Sequence, residues 1–261
     1  MNPFACESCG GGTNRVDTGR IMNKLDEYFN RNDYVAAERH LLYWLSESLA
    51  ARDARAELPI RNELMGLYRK LGRREDAIAA AEAALATVEQ MPRCDAVGAA
   101  TTYLNSATVY KAFSMADRAL PLFERAKAIY EKELNGNDTR LAGLYNNMAL
   151  ALVDLKRFDE ADHLYRNAIL ILEKSESGAP EIAITYLNMA SAVEAKLGLE
   201  DAAEVIGEYL RMAEELLEGE EKRDGYYAFV CEKCASVFDY YGYFYYAKQL
   251  KERAKGIYEG T

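Results

Sequence analysis

Residues 144–170 read LYNNMALALVDLKRFDEADHLYRNAIL. Ala149 closes one apolar pattern, and Phe158, Ala161, Tyr165 and Ala168 form a second, both at the spacing of helix faces. Outward from Ala161, an alanine in a matching context returns at steps of about 42 residues. Ala119 lies in MADRALPLFERAKAIYEKEL and Ala203 in LEDAAEVIGEYLRMAEELL, with Ala77, Ala37 and Ala247 further out. The spacings are 40, 42, 42, 42 and 44, so six units cover about residues 19–259.

Each unit holds two helical patterns. The first carries apolar residues on one face, as with Tyr145, Met148, Ala149 and Leu152. A short turn follows, marked in three units by Gly72, Gly198 and Gly242. The second places Ala161, Leu164, Tyr165 and Ala168 together, with small residues where two helices cross closely. No unit buries its apolar face alone, so neighbours must stack. The expected units are about 19–58, 59–99, 100–141, 142–182, 183–227 and 228–261. Residues 1–18 are rich in glycine and lack periodicity, which reads as a disordered tail.

The pattern Ala–x3–aromatic–x2–Ala is complete in Ala119–Phe123–Ala126 and Ala161–Tyr165–Ala168. Small residues precede the turn at Ala107, Ala149 and Ala190, with tyrosine four positions earlier at 103, 145 and 186. This resembles the tetratricopeptide repeat family, with Tyr in place of its usual Trp and with degenerate outer units. The period exceeds the family's common length of about 34 and resembles that of kinesin light chains. The resemblance implies a right-handed all-α solenoid of about six such units, whose first helices line a concave groove.

Two residues before each of those small residues stands an asparagine: Asn105, Asn147 and Asn188, with Asn23 equivalent in the first unit. Glu63 and Lys233 occupy that register in the second and sixth units. Asn is a mediocre residue inside a helix, because its amide competes for backbone hydrogen bonds. Offsets of −4, +3 and +7 from the register lie on one stripe at about 100° per residue. The stripe is Gly143, Asn147, Leu150 and Asp154 in the fourth unit, and Thr101, Asn105, Thr108 and Ala112 in the third. In the fifth it is Ile184, Asn188, Ser191 and Ala195.

The packing face lies opposite, and the resemblance puts the asparagines on the groove. A side-chain amide offers two donors and an acceptor, which matches an extended peptide backbone. The resemblance to kinesin light chains and peptide-pheromone receptors implies that such asparagines clamp ligand backbones. The peptide-binding set is therefore expected to be Asn23, Asn105, Asn146, Asn147, Asn188, Thr108, Lys111, Leu150, Asp154 and Ser191, with Glu194 adding selectivity. A second reading stays open: repeats copied from one ancestor keep an asparagine for structural reasons alone.

Composition narrows the partner. The formal charge is −10 and no basic run occurs, which argues against nucleic acid and anionic membranes. No apolar run of about 18 residues is present, and MNPFACESCGGG lacks the pattern of a signal peptide, so the expectation is a cytoplasmic protein. The partner is expected to be a protein or peptide, without a cofactor. His40 and His163 stand apart from any nucleophile motif, and no phosphate-loop, zinc-protease or nucleophile-elbow pattern occurs, so no enzyme is expected.

Two C-x-x-C pairs occur, Cys6–Cys9 and Cys231–Cys234, and Cys94 carries no signal. Cys231 and Cys234 fall on apolar packing positions and read as core. Cys6 and Cys9 leave a zinc- or redox-responsive alternative. The aromatic run FDYYGYFYYAK at 238–248 reads as core plus a terminal face, leaving homo-oligomerisation through the last repeat as another. Lys248, Lys251, Glu252, Arg253 and Lys255 would solvate that end.

Overall fold

The computed structural model of the protein describes residues 16–91 and 95–260. Among them are twelve α-helices and no strand. They are α1 (Thr18–Asn30), α2 (Tyr34–Ala50), α3 (Ala54–Lys70), α4 (Arg74–Gln90), α5 (Ala96–Ala112) and α6 (Ala116–Glu133), then α7 (Thr139–Asp154), α8 (Phe158–Leu172), α9 (Ala179–Leu197), α10 (Leu199–Gly219), α11 (Gly225–Tyr240) and α12 (Phe244–Glu259). They form six helix-turn-helix pairs of the α-solenoid class. Packing divides the chain into two compact units, residues 1–133 and 134–261, each with three pairs.

Aspartates start most of the first helices. Asp17, Asp53, Asp95, Asp138 and Asp224 each accept a backbone N–H of the first turn, satisfying a donor the helix leaves orphaned. The unit starts expected at 59, 100, 142, 183 and 228 fall inside first helices, which begin three to five residues earlier. Turns inside the pairs share a left-handed residue: Asn32, Gly72, Ser114, Lys156, Gly198 and Gly242, with φ between 54° and 87°. Glycine enters that region without the Cβ clash, so its presence in three turns follows.

In residues 1–133, Ala37, Ala77 and Ala119 are fully buried where second helices meet first helices, and Phe123, Ala126 and Tyr130 extend that core. A three-way contact recurs there. The Arg73 guanidinium lies over the Tyr68 ring and reaches Glu38, and Arg118 repeats this with Tyr110 and Glu82. Each ties a first helix to the second helix of the preceding pair.

In residues 134–261, Ala161, Tyr165 and Ala168 are fully buried. The alanine expected to match them, Ala203, is exposed, and Ala202 is the buried one. The α9–α10 turn is a single residue, Gly198, where the other pairs use three, but α9 is longer to match. The shift arises earlier, because Asn188 follows Asn147 by 41 residues where Asn147 follows Asn105 by 42. Cys231 and Cys234 are buried in the core with Leu187, Leu210, Tyr227 and Phe238, as expected of small apolar residues.

Candidate functional site

The register that carries the asparagines is reachable from solvent in all six first helices. Asn23 and Lys233 are exposed, and Glu63, Asn105, Asn147 and Asn188 are half-buried. On the opposite side of α7, Tyr145, Met148, Ala149 and Leu152 are buried. The stripe is thus the outward side of each first helix. Asn23, Glu63 and Asn105 stand on successive first helices of one unit, and Asn147, Asn188 and Lys233 on those of the other.

The side chains on the stripe differ in what they have left to offer. Asn147 donates through Nδ2 to the carbonyl of Gly143 at 2.8 Å, one turn back, which leaves its Oδ1 and a second N–H. Thr108 and Ser191 donate to Leu104 and Leu187 in the same i−4 manner, so these hydroxyls keep only acceptor capacity. Among the described residues no hydrogen bond engages the amides of Asn105 or Asn188. Leu150 and Lys111 are half-buried and Asp154 is exposed.

Asn146 departs from the expectation. It is 7% exposed and donates through Nδ2 to Thr185 Oγ1 at 2.8 Å, between α7 and α9. One residue along a helix turns the side chain by about 100°, so Asn146 belongs to the helix–helix contact and not to the stripe.

Glu63 occupies the asparagine register of α3. Burial, and then the negative charge of Asp26 on α1, hold its carboxyl above the usual range.

The stripe of α11 is aromatic, which the sequence reading missed. Tyr226, Phe229 and Tyr240 sit at −7, −4 and +7 from Lys233, and all three are exposed. The asparagine offsets of −4 and +7, applied to Lys233, reach Phe229 and Tyr240, and one further step back, to −7, reaches Tyr226. Two of them bind α9: the Tyr226 hydroxyl donates to Glu181, and the Tyr240 and Tyr241 hydroxyls donate to the two carboxylate oxygens of Glu194 at 2.7 and 2.6 Å. Glu194 is therefore engaged. Burial first, and then these carboxylates, raise Tyr226 and Tyr241 above the normal phenol range.

A pocket of about 300 Å³ opens where the stripes of α7, α9 and α11 begin. Arg140, Gly143, Glu181 and Tyr226 line it from the helices, and Ser175 and Ser177 from the α8–α9 connection. Gly178 holds that connection in place, because a Cβ there would meet the Leu172 carbonyl at 2.0 Å. A second pocket, of about 200 Å³, lies between α8 and α9, and its carboxylates are already paired: Asp159 with Lys196 and Asp162 with Arg166.

Among the described residues no group of three or more His, Cys, Asp or Glu is placed to hold a metal, and no helix is long and apolar enough to cross a membrane. Cys6, Cys9 and Cys94 lie outside the described residues, as does most of the tail expected at 1–18. His40 Nε2 pairs with the Ile21 carbonyl and His163 with Asn167, apart from any nucleophile.

Sequence models of the tetratricopeptide repeat match residues 59–132 and 141–175. No curated protein matches the chain by sequence. Among solved structures, the chain is similar to a kinesin light chain candidate from Podosopora anserina with nearly identical TPR-like repeats. They share 19% identity over 77% of this chain and 94% of that one, with a TM-score of 0.52. It is also similar to the apo form of RapI, at 14% identity over 93% and 97% of the two chains, with a TM-score of 0.63. A third is the Rap conjugation gene regulator of the plasmid pLS20 in complex with the Phr peptide, at 16% identity over 92% and 75%, with a TM-score of 0.57. At these identities the likeness is one of fold.

Proposed function

We propose, from the premise that this chain carries tetratricopeptide repeats, that it is a non-enzymatic, cytoplasmic interaction module holding an extended peptide or protein segment against its first helices. The observation that carries this reading is the recurrence of reachable side-chain amides at one register, with those of Asn105 and Asn188 unengaged. An unengaged amide gives up only water to meet a ligand, whereas a committed one must also break a bond within the protein. Main-chain hydrogen bonds from Asn147 and Asn188 supply affinity within residues 134–261, and Asn105 and Asn23 offer the same contacts within residues 1–133. Selectivity falls to stripe neighbours such as Leu150, Asp154, Thr108, Lys111 and Ser191. A solved Rap regulator of similar fold, in complex with a peptide, supports the general mode.

The test is affinity capture from native lysate with the wild type and an Asn105→Ala, Asn147→Ala, Asn188→Ala triple variant of equal helicity by circular dichroism. Partners held by the wild type and lost by the variant support the reading. Equal capture by both, or none, overturns it.

A second reading, self-association through the last pair, is favoured by Phe244 and Tyr245, which are 68% and 77% exposed beside the α11–α12 turn. Its mark is a concentration-dependent dimer in sedimentation that Phe244→Ala disperses.

A further inference from the structure

The pocket at the starts of α7, α9 and α11 carries a charge imbalance. Its cation is spent: Arg140 grips Asp138 through two bonds, Nε to Oδ1 at 2.9 Å and Nη2 to Oδ2 at 2.6 Å. Its carboxylate is not. Glu181 accepts from the neutral hydroxyl of Tyr226, and among the described residues no cation pairs with it. Glu181 also lies in the first turn of α9, where the helix N-terminus favours negative charge.

The walls around Glu181 suit a flat cation. The Tyr226 ring is 42% exposed and sits 6.3 Å from that of Phe229. Ser175 and Ser177 put hydroxyls at the rim. Gly143 leaves room, since a Cβ there would meet nothing within 4 Å. The volume takes one long side chain and not a second helix.

We propose that this pocket receives the guanidinium of an arginine side chain of the bound segment. The proposal rests on the reading of the stripe as a peptide-binding face and names the chemistry that fills one end of it. Carboxylate oxygens hold two lone pairs each, so Glu181 accepts a forked guanidinium while keeping the Tyr226 bond. The planar group then stacks on the exposed ring, which an ammonium does less well. The pairing of Arg140 with Asp138 keeps the second cation out of the way.

The test needs no knowledge of the natural partner. The full chain, labelled with 15N, is titrated with N-acetyl-arginine amide and with its uncharged isostere, N-acetyl-citrulline amide. Saturable shifts at Gly143, Glu181 and Tyr226 are expected with arginine, with citrulline at least about tenfold weaker, as loss of a charge-assisted pair implies. Glu181→Gln, which keeps the shape and the tyrosine bond, brings arginine down to the citrulline level. Gly143→Leu fills the space from a helical position and removes both signals. Equal binding of the two probes, no saturable shift, or arginine binding unaffected by Glu181→Gln overturns the proposal. The Asn105, Asn147 and Asn188 triple variant separates the two readings. Arginine still binds it if the pocket is real, whatever becomes of lysate capture. Capture lost in that variant, with no arginine preference in the wild type, sinks the pocket and leaves the stripe.

Discussion

Asn146 and Thr185 bridge neighbouring first helices through one hydrogen bond of 2.8 Å, and Asn62 and Thr102 repeat it between α3 and α5 at 3.3 Å. In both pairs the threonine hydroxyl donates back to its own helix, to Glu181 and Gly98, leaving its oxygen free to accept. In both the asparagine Oδ1 is buried without a partner. The bridge spaces one first helix against the next by polar geometry, and it tolerates an orphan acceptor to do so.

Breaking that bridge should cost stability and leave binding alone. Asn146→Ala and Thr185→Val are each expected to destabilise by about 1 kcal/mol. A double-mutant cycle in urea unfolding should return a coupling of about 0.5–1.5 kcal/mol. A coupling of zero would show that the two side chains do not act together. Lysate capture by Asn146→Ala should match the wild type, unlike capture by the stripe variants.

The position of the close helix crossing in the fifth pair is testable by size. Ala202→Leu forces three extra carbons into a full contact and should destabilise by about 1–3 kcal/mol. Ala203→Leu projects into solvent and should change stability by less than about 0.5 kcal/mol. A larger cost at Ala203 than at Ala202 would return the register to Ala203.

The buried thiols should be inert in the native state. Burial, and then the neighbouring Cys231, push the Cys234 thiol up to about 12, so it stays protonated at neutral pH. The folded value lies above the unfolded one of about 8.5. Its contribution to stability is therefore fully present below about 8.5 and fades as the pH climbs toward the folded value. Iodoacetamide at pH 8, read by mass spectrometry, should leave Cys231 and Cys234 unmodified in native protein and label both in urea. Rapid native labelling would contradict the core assignment.

Lys156 takes a left-handed conformation, with φ of 60°, where Gly198 and Gly242 stand in other pairs. Lys156→Gly removes the Cβ clash and should raise stability by about 0.5–1 kcal/mol, seen as a higher urea midpoint at unchanged slope. A lower midpoint would mean that the lysine side chain contributes more than the turn geometry.

The fold was legible because close crossings admit only small residues. Ala37, Ala77, Ala119, Ala161 and Ala247 repeat at a period no other constraint would impose. Ala202 escaped because two alanines adjoin and the fifth pair comes one residue earlier than a step of 42 places it. Yet the distance from the asparagine register to the buried alanine is 14 residues in every pair, Asn188 to Ala202 included. The starts of the first helices were also readable, in the aspartates at 53, 95, 138 and 224, but apolar periodicity does not report caps.

The stripe itself followed from counting turns. What each amide does in the folded chain did not: Asn147 bonds back to Gly143, and Asn105 does not do the same to Thr101. Adjacent asparagines looked alike, although a rotation of about 100° makes one a packing residue. The aromatic stripe of α11 was hidden by composition. A run of tyrosines reads as bulk apolar surface until each is assigned a face.

The most direct measurement is a photo-crosslinking footprint. A benzophenone amino acid is placed at Leu150 on the stripe of α7 and, separately, at Leu170, which is 56% exposed on α8. Each protein is incubated with the captured partner and irradiated. A crosslink is expected from position 150, abolished by Asn147→Ala with Asn188→Ala, and none from position 170. A crosslink from 170 alone, or one from 150 that survives both substitutions, would contradict that expectation.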